Sequence, residues 1–270
     1  YSKPSFKLKS DLSLLSQTRR EEGFYGGLHP WDKKEETEER RIEYFPEPGM
    51  VVIFLSQHTG KMARPLVKVG DEVKVGQKIG EADGFISAPI HSSISGKVIS
   101  VEERINPASQ RKSLALIIAN NGKSEFAPSI EHFQDFEDLS REALLEIIRE
   151  KGVVGLGGAM FPTSVKLAPP KKVDTLIING CECEPYLNCD NRIMVEHPGE
   201  VFTGIKIAQK ILGVEKVYIG IEDNKPEAIT MLNNYPGKPS SFEIVSLKTK
   251  YPQGAEKVLI NRILAREVPD

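Results

Sequence analysis

Three short stretches hold the residues whose types and spacing suit them to chemistry. The first is the loop Gly155-Leu156-Gly157-Gly158-Ala159-Met160-Phe161-Pro162-Thr163-Ser164-Val165-Lys166. Its three glycines let backbone approach a flat or anionic ligand, and successive N–H groups can converge on phosphate oxygens. Lys166 adds a positive charge for the same anion. No Gly-Lys-Ser/Thr closes the loop, so it is not a P-loop, and Met160 stands where Gly-x-Gly-x-x-Gly needs its last glycine. A plain helix-to-strand connection would carry these glycines equally well.

The second stretch is Asn179-Gly180-Cys181-Glu182-Cys183-Glu184-Pro185-Tyr186, directly after an apolar run. Glu182 and Glu184 at a strand end can hydrogen-bond ribose hydroxyls or a ring, whereas their charge repels phosphate, which then belongs on the glycine loop. An acidic exposed turn is the plainer alternative. Cys181, Cys183 and Cys189 offer three sulfurs, with Asp190 or His197 as a fourth ligand. Structural zinc and cubane clusters favour two residues between paired cysteines and usually four cysteines, so packed thiols are the simpler explanation and no metal is expected. The third stretch, Tyr251-Pro252-Gln253-Gly254-Ala255-Glu256, enters a helix. Gly254 leaves N–H groups open to an anion there, while Glu256 can complement the helix dipole by itself. None of the five histidines stands at a recognisable triad spacing, and structural roles are expected for them.

The elements that must position these residues fall into three parts. Residues 1–45 are a polar extension with a charge run from Lys33 to Arg41, expected to be a solvated face without chemistry, preceded by the turn or docking arm Gly26-Gly27-Leu28-His29-Pro30. Residues 46–122 alternate short apolar runs (50–55, 65–69, 79–81, 94–101, 114–119) with glycine turns, the pattern of a small all-β sandwich or barrel. Residues 138–270 alternate helix and strand. Ser140 caps a helix ending at Gly152. Strands are expected at 175–179, 216–221 and 242–247, and helices around 201–212, 226–233 and 255–264. The fold class is therefore α/β, a Rossmann-like and mostly parallel sheet preceded by the β domain. Ligands of such sheets bind at the carboxyl ends of the strands, where the unusual residues sit.

Lys+Arg 36 against Asp+Glu 38, with no basic cluster, excludes a nucleic-acid binder by charge. No apolar run approaches the roughly 18 residues of a membrane span. Three cysteines within nine residues make a poor disulfide framework, which suits a reducing compartment. Tyr1 leads the chain where an initiator Met would stand, and a missing start is expected.

Taken in order, these segments resemble RnfC, the peripheral subunit of the Rnf ferredoxin:NAD oxidoreductase complex. The resemblance rests on Gly26–Pro30, Pro65–Val73 with Gly76-Gln77, Ala88-Pro89-Ile90-His91-Ser92 with Ser95-Gly96, and on the three stretches above. It implies a barrel-sandwich domain related to biotinyl and lipoyl carriers. Asp83-Gly84-Phe85 stands where a carrier presents its lysine, so a docking module is expected rather than covalent attachment. It also implies an α/β domain similar to the NADH-binding flavoprotein subunit of respiratory complex I. Gly155, Gly157, Gly158 and Lys166 would then line FMN, with Phe161 near the adenine. Asn179, Glu182 and Glu184 would face flavin and NADH, and Gly254 and Glu256 would complete the wall. Cys181 and Leu156 depart from that family, which has an acidic and a basic residue there. The two [4Fe–4S] clusters of the family are expected only in a further C-terminal region, since this sequence has no Cys-x-x-Cys. A stretch lacking that region is expected to be inactive alone.

The implied role is electron transfer between NAD(H) and ferredoxin through FMN and iron–sulfur clusters. The expected partners are the other subunits of a membrane-bound Rnf-type complex, and the expected place is the cytoplasmic face of the membrane. Within the oxidoreductases, the alternatives are a cobalamin reductase or the electron carrier of a proline reductase. Outside them stands a docking module without a nucleotide.

Overall fold

The computed structural model describes residues 24, 26–128, 135–156 and 159–268. Gly157 and Gly158 lie outside the described residues. Two compact units divide the chain, one of residues 44–172 and one formed by residues 1–43 with 173–270. This division differs from the composition boundaries: the extension groups with the α/β half, and the helix and glycine loop before residue 172 group with the β half.

In the 44–172 unit the strands are β1 (Met50–Phe54), β2 (Arg64–Pro65), β3 (Glu72–Val73), β4 (Lys78–Glu81), β5 (Ile90–His91), β6 (Gly96–Ile105) and β7 (Lys112–Asn120). They form two antiparallel sheets, ordered β1-β7-β6-β3 and β2-β4-β5. Alternating apolar residues fill the space inside: Leu55, Ile79, Val98, Leu116 and Ile118 are wholly buried. The run at 65–69 is strand only over its first residue, because the chain turns through Gly70 at φ 98°. His58 is buried and has the structural role expected of it, its Nε2 accepting the Ala88 N–H at 3.1 Å.

Helix α1 (Arg141–Glu150) starts where Ser140 Oγ accepts the Ala143 N–H at 3.2 Å. Its end is pinned by Lys78, which meets Glu150 at 2.6 Å. Gly152 turns the chain at φ 65°, and a Cβ there would lie 2.4 Å from the Pro89 carbonyl oxygen, so no other residue fits. The short helix α2 (Thr163–Lys166) closes this unit's chemistry-bearing segment.

In the other unit β8 (Thr175–Gly180), β9 (Lys216–Glu222) and β10 (Phe242–Leu247) form a parallel sheet with β9 in the centre. The connecting helices are α3 (Cys189–Glu196), α4 (Pro198–Leu212) and α5 (Pro226–Asn234), and α6 (Glu256–Leu264) follows β10. Met194, Phe202, Ile205, Val217, Ile219 and Phe242 bury one face of the sheet, and Val245, Leu259 and Ile263 lie in a second cluster. The protein is thus a mixed α/β chain with a barrel-sandwich-like first domain and a parallel sheet. Among the described residues no helix is long and apolar enough to cross a membrane.

Candidate functional site

The carboxyl ends of β8, β9 and β10 present the acidic loop 181–188, the Glu222 turn and the 248–254 segment. Exposed Asn179 closes β8 against the last of these: its Nδ2 donates to the Gly254 carbonyl at 2.8 Å. The Gly254 N–H points at Cys183 Sγ at 3.4 Å. A Cβ on Gly254 would meet Asn179 and Cys183 at 3.4 to 3.5 Å, ordinary contact distances that a small side chain could take. Glu256 is exposed in the first turn of α6. Asn179 and Gly254 therefore meet at the strand ends, and Glu256 lies two residues further on, in α6.

Glu182 and Glu184 part company. Glu184 is exposed, while Glu182 is buried with its carboxylate over the start of α3. It accepts N–H groups from Asp190 at 2.8 Å and Asn191 at 3.1 Å, and the Cys189 thiol at 3.1 Å. These are the donors a helix leaves unsatisfied at its N-terminus, and a carboxylate there also meets the positive dipole end. Glu182 is thus a helix cap, so the two carboxylates are not turned outward together, and Glu184 alone of the pair is exposed.

Each thiol has its own neighbour. Buried Cys181 contacts the Gly220 carbonyl, Cys183 receives Gly254, and exposed Cys189 donates to Glu182. Glu182, Cys189 and Asp190 offer ligand atoms within 4.8 Å of one another, but the Glu182 oxygens are already taken by α3. Burial pushes the Cys181 thiol far above the ordinary range, and burial with the Glu182 hydrogen bond pushes Cys189 up to about 11.

Beneath the acidic loop lies a charge cluster that pattern reading missed. Lys225 is buried and donates to the Cys181 carbonyl at 2.6 Å and the Asn224 side chain at 3.0 Å, with Glu222 at 3.5 Å. Desolvation holds the Glu222 carboxyl above its usual range, against the Lys250 N–H and Lys225. Lys34, from the charge run expected to be a solvated face, is only 4% exposed. Its ammonium donates to the carbonyls of Glu182 at 2.9 Å, Glu184 at 3.0 Å and Leu187. Desolvation and then Lys225 lower its pKa, while Glu182, Glu222 and Asp32 work the other way. Lys34 corrects the expectation. No sequence signal separates it from its exposed neighbours in the run.

The arm carrying Lys34 lies along the strand ends. Leu28 and Tyr251 exchange two main-chain hydrogen bonds at 2.8 Å, as the docking-arm reading of Gly26–Pro30 anticipates. Between the arm and the strand ends is a cavity of about 50 Å³, bordered by Asp32, Lys34, Cys183, Glu222 and Lys250 among others. That is room for a water or two, not for a nucleotide ring.

The remaining candidates lie in the 44–172 unit. Gly155 N–H donates to the Phe161 carbonyl at 3.1 Å, and Val154 bridges Pro162, which brings the two ends of the glycine-rich stretch together. Phe161 is half-buried, Leu156 is 96% exposed, and Lys166 is exposed at the end of α2. Met160 is tied to its own unit by the Thr59 N–H, which donates to the Met160 carbonyl at 2.9 Å. Among the described residues, Gly155, Phe161 and Lys166 belong to one compact unit and Asn179, Glu184, Gly254 and Glu256 to the other.

Comparison with known proteins matches residues 22–123 to the RnfC barrel sandwich hybrid domain and residues 148–270 to the Nuo51 FMN-binding domain. A subunit of the Na+-translocating ferredoxin:NAD+ oxidoreductase complex of Acetobacterium woodii is 48% identical over 248 residues, covering 91% of this chain and 56% of the relative. Its counterpart in the proton-translocating complex of Clostridium ljungdahlii is 49% identical over 249 residues, covering 91% and 54%. The corresponding subunit of the ion-translocating oxidoreductase complex of Rhodobacter capsulatus is 41% identical over 248 residues, covering 90% and 48%. The chain spans about half the length of these curated relatives. A solved NAD+-reducing [NiFe]-hydrogenase chain, in the H2-reduced state, aligns with 47% of this chain and 25% of its own length at 23% identity, with a TM-score of 0.42, and nothing further rests on it. Both domain models are thus matched in order, and over nine-tenths of its length the chain is 41 to 49% identical to subunits of this RnfC type.

Proposed function

We propose that this chain is the nucleotide-handling part of an electron-transfer subunit that exchanges electrons between NAD(H) and ferredoxin through FMN and iron–sulfur clusters. The observation that carries the reading is the platform of Asn179 and Gly254 at the carboxyl ends of parallel strands, within the stretch matched to an FMN-binding family. A Rossmann-like topology, with α3 and α4 between β8 and β9 and α5 between β9 and β10, agrees with it. The FMN/NADH domain is read as residues 138–270, the barrel sandwich as 46–122 and the extension as 1–45.

The residues present fit such a group. Gln253, beside Gly254, is wholly buried, and its amide has no hydrogen-bond partner on either side. An orphaned amide of this kind costs about 1–3 kcal/mol, which a ligand or water reaching it would relieve. We assign Gly155, Gly157, Gly158 and Lys166 to FMN, Phe161 to the adenine of the dinucleotide, and Asn179, Glu184, Gly254 and Glu256 to the flavin and dinucleotide. Glu182, also expected to face the ligand, acts by starting α3 and shaping the loop that presents Glu184. When bound, FMN supplies the conversion of a two-electron hydride transfer into single-electron steps. The protein positions the ring and complements its charge. The partners are the other subunits of a membrane-bound Rnf-type complex, on its cytoplasmic face, with ferredoxin reached indirectly.

The test is titration of FMN into the full-length subunit and into its Gly158→Trp variant, with NADH added without oxygen. Tight binding by the first alone, and bleaching by NADH, are expected. A colourless full-length subunit that refuses both ligands defeats the reading. One observation favours a docking module instead, the cavity of about 50 Å³ at the strand ends. Intact assembly of the complex by a subunit that takes no flavin would establish that alternative.

A further inference from the structure

The loop after β8 takes a course that its own residues do not favour. Glu182 and Tyr186, neither a glycine, stand at φ 48° and 69°. Left-handed conformations at such residues cost of order 1 kcal/mol each and persist where surroundings impose them. The carbonyl oxygens of Glu182, Glu184 and Leu187 also converge on one point, which aligned dipoles resist unless a cation fills it. Lys34 fills it. An ammonium has three N–H donors and no acceptor, one donor for each carbonyl.

The arm adds further ties to the same loop. The Tyr186 N–H donates to the Asp32 carbonyl at 2.6 Å. Asn188 Nδ2 donates to the Lys34 carbonyl and to Thr37 Oγ1, both at 2.8 Å. Through Leu28 the arm is also paired with Tyr251, three residues before Gly254. One segment from the beginning of the chain therefore joins the two loops that carry Glu184 and Gly254.

We infer that Lys34 is a positioning residue, its ammonium taking the place of a structural cation among three carbonyls and so holding the 181–188 loop in the conformation that presents Glu184 to the nucleotide. The inference rests on the flavin reading, and it assigns the site's geometry to the arm. Loss of the ammonium leaves the Glu184 and Leu187 carbonyls without its donors and the Glu182 carbonyl with Lys225 alone, at 3.4 Å, and the loop relaxes from its left-handed turns.

Lys34→Met in the full-length subunit tests this, with Lys33→Met, half-buried over the Trp31 ring and outside the carbonyl cluster, as the control. Hydrogen–deuterium exchange over 181–190 is expected to rise tenfold or more, with exchange over 112–120 unchanged. FMN or NADH affinity should fall about tenfold alongside, and Lys33→Met should move neither. Should Lys34→Met not accumulate, Asn188→Ala loosens the same strap while keeping the ammonium, and the same paired changes are expected at smaller size. Unchanged exchange in a folded variant overturns the tether. Faster exchange with unaltered nucleotide affinity makes Lys34 structural only, which also overturns the inference. A wild type that takes no flavin defeats the functional reading and the positioning role with it, while the exchange measurement still decides whether Lys34 holds the loop.

Discussion

The carboxylate of Glu182 accepts the main-chain N–H of Asp190 at 2.8 Å, so a residue of the loop after β8 begins the helix that follows that loop. Loop and helix are consequently one unit. Glu182→Ala is expected to destabilise the α/β unit by about 1–2 kcal/mol, the range for losing a helix cap. Urea unfolding followed by helical circular dichroism measures it. A loss below about 0.3 kcal/mol would mean that the cap is dispensable.

The same carboxylate governs a thiol. With Cys189 pushed up to about 11 by burial and by Glu182, its thiolate at pH 8 is roughly two orders of magnitude scarcer than for an ordinary cysteine. Slow alkylation of Cys189 by iodoacetamide is expected, with acceleration in Glu182→Gln. Cys181 and Cys183 should label only after denaturation, since both are buried. Peptide mass mapping reads all three sites, and rapid labelling of Cys189 in the native protein would contradict the assignment.

Asp223 makes the α/β unit sensitive to acid. Burial opposes its charge, but Thr249 Oγ1 at 2.7 Å, Lys248 at 3.0 Å and the Thr249 N–H at 3.0 Å outweigh it and hold the carboxyl below its usual range. A carboxyl with a depressed folded pKa binds fewer protons folded than unfolded. Its stabilisation is complete above the unfolded value of about 3.9 and drains as pH falls through the folded one. The urea midpoint of the wild type should therefore fall more steeply than that of Asp223→Asn between about pH 5 and pH 3. Parallel curves would show that the carboxylate contributes nothing.

Gly96 admits no side chain. A Cβ there would stand 1.9 Å from the Ala119 carbonyl oxygen across the β6–β7 pair, whereas one on Gly49 would meet nothing within 4 Å. Backbone cannot yield as a flexible side chain does, so Gly96→Ala is expected to cost about 1–3 kcal/mol and Gly49→Ala less than about 1. Thermal unfolding of the two variants separates them. Equal midpoints would contradict the close approach.

Much of this architecture is local and was readable in the chain. Ser140 before an amphipathic run announces α1, Gly213 in the left-handed region ends α4, and the strand 242–247 has the bounds its apolar residues suggest. Helix α3 was not legible, because its cap, Glu182, stands seven residues before Cys189 and reaches it only when the loop folds back. The candidates at the strand ends were legible as residue types following an apolar run. Their division of labour was not, since Glu182 and Glu184 carry the same side chain and only burial distinguishes them.

Periodicity and turn chemistry act over a few residues, so the order of strands and helices, the α/β class and the Asn179–Tyr186 and Tyr251–Glu256 segments followed from the sequence itself. The tertiary structure alone decided that Lys34, one cation in a run of charges, would be buried beneath a loop 148 residues away. Desolvating an ammonium is unfavourable unless carbonyls replace its water, and which carbonyls converge is a property of the folded chain.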